Sequence, residues 1–370
     1  MQRSIYVRPV GIFPATADPE TGTVWGGLPL AGGRLAFSAL EVIERGPQTM
    51  RHVTGLGEFM ERDWGRHTLA ASDMFEALRE PRSRLTGLSL SAPRIMGILN
   101  VTPDSFSDGG NFNSVQTAVD QALLMVEEGA DIIDIGGEST RPGATPVPVD
   151  EELQRVIPVI EVLRDKTDAL ISVDTRKSQV MQRAAEAGAD ILNDVSALTH
   201  DPEALDVAAE SGLPVILMHA QGDPKTMNDD PQYADVVLDV FDFLERRIQA
   251  CEGAGIPKAK IIADPGIGFG KHLHHNVAVL AAMSLYHGLG VPILLGASRK
   301  KLIGQLCNVE NPTERVPGSI AAALSSLAQG VQLLRVHDVA ETKQAVSVWQ
   351  AALFGDEKAA IPPEQIKADA

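Results

Sequence analysis

Cysteine is nearly absent from this chain: Cys251 and Cys307 are the only two in 370 residues, and no CxxC spacing occurs. A disulfide framework or a zinc–thiolate site is therefore excluded as the organising principle. Positive charge is also scarce. Thirty-two Lys and Arg stand against 49 Asp and Glu, for a formal net charge of −17. So acidic a chain lacks the broad basic footprint that a nucleic-acid partner requires, although a local basic cluster could still hold a small anion. No apolar run reaches the roughly 20 residues that span a bilayer. The opening stretch MQRSIYVRPVGIFPATADPETG has neither the apolar segment nor the cleavage pattern of a secretory signal. The expectation is a cytoplasmic protein with no membrane and no nucleic-acid partner. Several motifs are missing too. GxGxxG does not follow the first strand of the regular region, and GxxxxGK[ST], HExxH and GxSxG do not occur, which argues against phosphate loops, zinc peptidases and hydrolase elbows.

What is present divides near residue 93. With 44% hydrophobic residues the chain can bury one large domain, or one large and one small. Residues 1–92 are an N-terminal extension in which FSALEVIERG and ASDMFEALREPRSRL read as short helices. No chemistry is legible there, and it could be a small domain, a packed arm or an interface element. Residues 93–355 are regular. The apolar runs RIMGILN (94–100), DIIDIGG (131–137), LISVDT (170–175), DILNDV (190–195), PVILMHA (214–220), AKIIADPG (259–266), PILLGAS (292–298) and VQLLRVHDV (331–339) alternate with alanine-rich amphipathic stretches. This is the pattern of parallel strands joined by crossover helices and covered on both faces. Eight strands in about 250 residues predict an α/β fold of the (β/α)8 TIM-barrel kind. An open doubly wound sheet is the alternative. Residues 356–370 read as a tail.

In such a barrel, function sits at the C-terminal ends of the strands, and all eight runs end in polar groups. Two chemistries separate there. Asp174, Asn193, Asp264 and Lys300 mix acceptors and donors, as a polar heterocycle with ring nitrogens, an amine and a carbonyl requires. Helix caps and a buried salt bridge are their alternative roles. Asn100, Arg141, Arg335 and His337 could surround a phosphate or pyrophosphate, and GASRK stands where barrel phosphate sites form. Asn100, with phosphate oxygens and waters, would suit Mg²⁺. The close histidines His272, His274 and His275 lack zinc-site spacing and read as loop or helix-start residues.

The motifs are more specific than their spacing. GILNVTPDSFSDGG (97–110), DIIDIGGESTRPG (131–143), SVDT, ILNDVSA, ILMHAQGDPKTM, DPGIGFGK, GASRK and RVHDV follow one another in order, and over about residues 93–350 the sequence resembles the bacterial dihydropteroate synthase family. The resemblance implies a transferase of folate biosynthesis that condenses 6-hydroxymethyl-7,8-dihydropterin pyrophosphate with para-aminobenzoate, a target of sulfonamides. It implies that Asp174, Asn193, Asp264 and Lys300 recognise the pterin, and that Asn100, Arg141, Arg335 and His337 serve pyrophosphate and Mg²⁺. Asp104 and Phe106 in the first loop, and Thr140 with Pro142 in the second, would close over the site. Phe269 and Pro142 would be parts of the para-aminobenzoate pocket, with Lys300 and Ser298 nearby, and Met218 would join the substrate-binding set. A homodimer is also implied. His219-Ala220 departs from the family's His-Met. Rival expectations are a folate-dependent methyltransferase barrel and a non-catalytic pterin-binding homologue.

Overall fold

The structure is a computed structural model that describes residues 4–15, 24–101, 111–139, 146–222, 227 and 229–360. The N-terminal part holds β1 (Ile5–Pro14), β2 (Leu28–Pro29), β3 (Leu35–Glu44) and β4 (Met50–Gly55), then α1 (Leu56–Glu61) and α2 (Thr68–Arg79). The rest alternates: β5 (Arg94–Asn100), α3 (Asn111–Glu127), β6 (Ile132–Gly136), α4 (Val149–Arg164), β7 (Leu170–Asp174), α5 (Ser178–Ala187), β8 (Ile191–Asp194) and α6 (Ala204–Ser211). It continues with β9 (Val215–Met218), α7 (Val236–Gly253), β10 (Ile261–Asp264), α8 (Leu273–Ala281), β11 (Leu294–Leu295), α9 (Lys301–Cys307), α10 (Val316–Leu327), β12 (Leu333–Val336) and α11 (Val339–Phe354).

Strands β5 to β12 form one parallel sheet in the order β10-β9-β8-β7-β6-β5-β12-β11. A single parallel bridge, Ala263 to Ile293, joins the two ends, with Ala263 N–H donating to Pro292 C=O at 2.9 Å. The sheet is thus a (β/α)8 barrel, and the open-sheet alternative is set aside. The seventh strand is much shorter than the run 292–298 suggests: it ends at Leu295, and the chain reaches a left-handed residue at Arg299 (φ +58°) before α9 begins.

Inside the barrel, alternation places every second residue inward. One residue from each strand forms an apolar floor: Met96, Ile132, Leu170, Ile191, Ile216, Ile262, Leu294 and Leu333. Leu85, Leu88 and Leu90, from the connector before β5, close the bottom. The outward strand faces and the helices make the larger core, where Ile133, Ile171 and Leu217 are fully buried.

The extension shares that core. Tyr6, Phe37, Leu40 and Met74 belong to the same apolar cluster as the barrel helices, and Tyr6 meets Phe241 of α7 edge-on at 5.5 Å. Residues 37–44, expected within a helix, are instead part of β3, the central strand of an antiparallel sheet. β1 runs along one edge of β3, and β2 and β4 share the other. The apolar residues at 37, 40 and 43 satisfy a helical period, but pairing on both sides decides for strand. ASDMFEALR does form a helix, within α2, which buries Met74, Phe75 and Leu78. Among the described residues no helix is long and apolar enough to cross a membrane.

Candidate active site

Two residues above the apolar floor, the same inward alternation gives Asp134, Ser172, Asn193, Met218, Asp264 and Arg335; two residues further it gives Asn100, Asp174 and His337. The barrel therefore changes from apolar to polar within one step of the strand repeat. Asp134 on β6, completely buried, is the hub. It accepts Asn193 Nδ2 at 3.2 and 3.1 Å, and Arg335 Nε at 2.6 Å. Because a carboxylate only accepts, Asn193 must turn its nitrogen toward Asp134 and its amide oxygen away. Arg335 also donates from Nη2 to Asp174 Oδ2 at 2.7 Å, so one guanidinium bridges carboxylates from two strands. The other oxygen of Asp174, Oδ1, is buried without a hydrogen-bond partner among the described residues. A ligand N–H would satisfy it.

Burial pushes the Asp174 carboxyl up to about 7; Arg335 opposes this and Asp134 adds to it. Burial works against the charge on Arg335 too, but Asp134 and Asp174 outweigh it and raise its pKa further. Arg335 therefore stays protonated.

Across the mouth, a methyl group at Gly296 would stand 3.6 Å from Asp264 Oδ2, 3.8 Å from Lys300 Nζ and 4.0 Å from Arg335 Cβ, which locates these three side chains around one point. Asp264 Oδ1 accepts the Gly266 N–H at 2.7 Å. Burial raises the Asp264 pKa, against the pull of Lys300 and that N–H. Lys300 donates to Ile267 C=O and lies 4.6 Å from the Phe269 ring centre, a cation–π distance. Burial lowers the Lys300 pKa to about 8, with Asp264 opposing. The Ser298 hydroxyl bonds both the backbone N–H and Nδ1 of His337, at 3.1 and 3.0 Å. Asn100 is half-buried at the end of β5, and Met218 is buried at the end of β9.

The structure thus brings Asp174, Asn193, Asp264, Lys300, Arg335, Phe269, Ser298 and His337 to one end of the barrel. It does not keep the two expected sets apart, since Arg335 is ion-paired with the carboxylates on the heterocycle side. Arg299 is engaged elsewhere, with Nε donating to Asp338 at 3.0 Å. Asp194 caps its own turn through the N–H groups of Ser196 and Leu198. His272, His274 and His275 sit at the start of α8 as expected, and no group of three or more His, Cys, Asp or Glu able to hold a metal occurs among the described residues. Asp104, Phe106, Thr140, Arg141 and Pro142 lie outside the described residues.

Two residues carry weight that motif reading does not assign. Asp134 lies inside DIIDIGG, where an apolar run conceals it; counting two on from the inward Ile132 finds it. Lys271 is the other. Its buried amino group, whose pKa burial lowers well below the usual lysine range, meets His219 Nδ1 at 2.8 Å and donates to the Gly266 and Phe269 carbonyls at 2.8 and 3.1 Å. It gathers the loop after β10. Burial, then the neighbouring Lys271, push His219 well below its usual range, so the ring is neutral and can accept. At Gly266 (φ +69°) a Cβ would fall 1.9 Å from the His219 carbonyl oxygen, so no other residue fits. Lys271→Met leaves His219 Nδ1 and the Phe269 carbonyl without this donor, and takes from the Gly266 carbonyl one of its two donors; it is expected to lower stability by about 2–3 kcal/mol, read from the urea unfolding midpoint. An unchanged midpoint would contradict the stapling role.

A family model described as pterin binding enzyme matches residues 96–337. The dihydropteroate synthase of Escherichia coli K12 is 53% identical over 272 residues, covering 74% of this chain and 96% of that protein. The chain belongs to the dihydropteroate synthase family. Among solved structures, the Xanthomonas albilineans dihydropteroate synthase with 4-aminobenzoic acid is 54% identical with a TM-score of 0.69, covering 74% of this chain and 98% of that one. The Yersinia pestis dihydropteroate synthase in a sulfonamide drug complex is 50% identical with a TM-score of 0.68, covering 72% and 96%. The family match falls on the barrel, and the N-terminal sheet lies outside it.

Proposed function

We infer that the chain joins 6-hydroxymethyl-7,8-dihydropterin pyrophosphate to para-aminobenzoate, giving 7,8-dihydropteroate and pyrophosphate. The observation that carries this is the cluster of buried Asp174, Asn193 and Asp264 with half-buried Lys300 and Arg335 at the barrel mouth, in a chain 53% identical to a dihydropteroate synthase over 96% of that protein's length. A pterin presents N–H donors along one edge and oxygen and nitrogen acceptors along others. Asp174 Oδ1, the Asn193 amide oxygen and the Asp264 carboxylate supply acceptors, and the Lys300 ammonium supplies donors.

In the reaction the C–O bond at the exocyclic methylene breaks, and its electron pair leaves with pyrophosphate. The amine nitrogen of para-aminobenzoate then forms the new C–N bond and loses its proton to water or to the departing pyrophosphate. That amine is neutral at pH 7, so no strong base is required of the protein. The dihydropterin carries positive charge as the bond breaks, and an ionised Asp174 beside it stabilises that charge. Arg335 and His337, at the end of β12, face the leaving anion in this reading. Phe269 and Lys300 present an aromatic face and a cation to the ring and carboxylate of para-aminobenzoate.

Magnesium fits the donor set. Asn100 offers one amide oxygen, and the described residues form no protein cage of acidic or imidazole ligands. Mg²⁺ keeps most of its waters and takes phosphate oxygens, so Asn100 would be its protein ligand. When bound, the ion supplies positive charge at the leaving group. Mixing both substrates with Mg²⁺ is expected to release pyrophosphate, with EDTA suppressing it. A sulfonamide should compete with para-aminobenzoate and not with the pterin. Pterin binding without pyrophosphate release would overturn the reading.

A further inference from the structure

We propose that the N-terminal sheet is a brace for the para-aminobenzoate side of the mouth, acting through Arg45, Arg51 and Tyr233 on the loop after β10. This rests on the functional reading above only in assigning Phe269 of that loop to the amine substrate. The first link is the junction with α7. Asp235 and Asp239, at its start, each divide their two oxygens between the barrel and the sheet. Asp239 Oδ2 accepts the backbone N–H groups of Ala234 and Asp235 at 2.9 and 3.2 Å, and its Oδ1 accepts Arg45 Nη2. Asp235 Oδ1 caps Val237 and Leu238 at 3.1 and 3.2 Å, and its Oδ2 accepts Arg51 Nη2 at 2.8 Å. Arg45 donates further to Tyr6 Oη and Asp242 Oδ2, at 3.2 and 3.1 Å. The extension therefore fixes the backbone where α7 begins.

Tyr233 stands immediately before that point. Its hydroxyl donates to Gly270 C=O at 2.7 Å, and its ring lies between His275 at 4.9 Å and His219 at 6.0 Å. Gly270 ends the loop that carries Phe269, whose Ile267 carbonyl receives Lys300 and whose other carbonyls receive Lys271. The path from sheet to mouth is contiguous, each step a hydrogen bond or a peptide bond. Arg45 carries more of it than Arg51, since its side chain is 11% exposed against 40%, and exposed pairs contribute little.

The test uses the full chain with Tyr233→Phe, with Arg45→Met/Arg51→Met, and with all three together. Tyr233→Phe and the arginine pair should each raise KM for para-aminobenzoate about 5-fold while leaving KM for the pterin pyrophosphate unchanged. The triple variant should go no further than the larger of the two, because the links lie in series. Hydrogen exchange of the ligand-free protein should show faster exchange at the Phe269 amide, which is bonded to Gly266 C=O at 3.2 Å. Additive effects, a parallel rise in both KM values, or wild-type exchange of residues 265–270 in Tyr233→Phe would overturn the brace. If the arginine pair fails to fold, Arg45→Lys takes its place, and a wild-type KM for para-aminobenzoate in that variant would overturn the brace. A wild type without synthase activity would sink the functional reading and leave the exchange test standing.

Discussion

Replacing Asp174 with Asn is expected to lower kcat/KM by about a thousand-fold and, at pH 8, to raise the temperature of unfolding. The two effects share one cause. Asp174 sits 7% exposed beside a second buried carboxylate, so ionising it is unfavourable, and its pKa rises from an ordinary 3.8 to about 7. A carboxyl whose folded pKa is raised contributes stability that is fully present below about pH 4 and is lost as pH rises through about 7. The same ionised form is what a cationic dihydropterin requires, so kcat/KM of the wild type should climb through about pH 7 as stability falls. Asn cannot ionise, and the variant should lose both dependences. Thermal melts between pH 5 and 8 check this: the variant's advantage should be greatest at pH 8 and shrink toward pH 5. A constant separation would mean that Asp174 is not the titrating group.

Arg335→Met is expected to lower stability by about 3–5 kcal/mol and to abolish measurable turnover. Its side chain is only 20% exposed, and it is the cation against which Asp134 and Asp174 are both held. Removing it leaves two buried carboxylates facing each other, with the Asn193 amide as the remaining side-chain donor to Asp134 among the bonds described. Adding Asp134→Asn should restore much of the stability, because the excess buried charge is then gone, without restoring turnover. Urea unfolding of the single and double variants at pH 7.5 separates the two roles. If the second substitution deepens the loss, Arg335 acts through packing and not through charge.

The barrel was legible because β-branched and leucine-rich runs recurred eight times with helical stretches between them. Its boundaries were less so. The run 292–298 gave no sign that its pairing with β12 would end at Leu295, and the left-handed Arg299 that follows is held from afar, by Asp338, 39 residues on, and by Ser319 Oγ, which accepts the Arg299 N–H at 2.9 Å. Residues 37–44 misled for a related reason: helical spacing is local, whereas the neighbours that make β3 a central strand lie in distant segments. At the mouth, polar strand ends such as Asp174, Asn193 and Asp264 announced themselves. Asp134 did not, because a strand covered on both faces hides which of its residues point inward. Lys271 was visible as a letter of DPGIGFGK, but its burial among carbonyls is a property of the folded loop.

The barrel's closure has a consequence for how ligands act on the fold. Between β10 and β11 the ladder is reduced to one bridge, and Asp264 stands at the end of one bank while Lys300 follows the other. A pterin gripped by both would be a molecular rivet across this seam. Occupancy would then set how often the barrel breathes open along its weakest line, so substrate would guard the enzyme's cylinder as well as react within it.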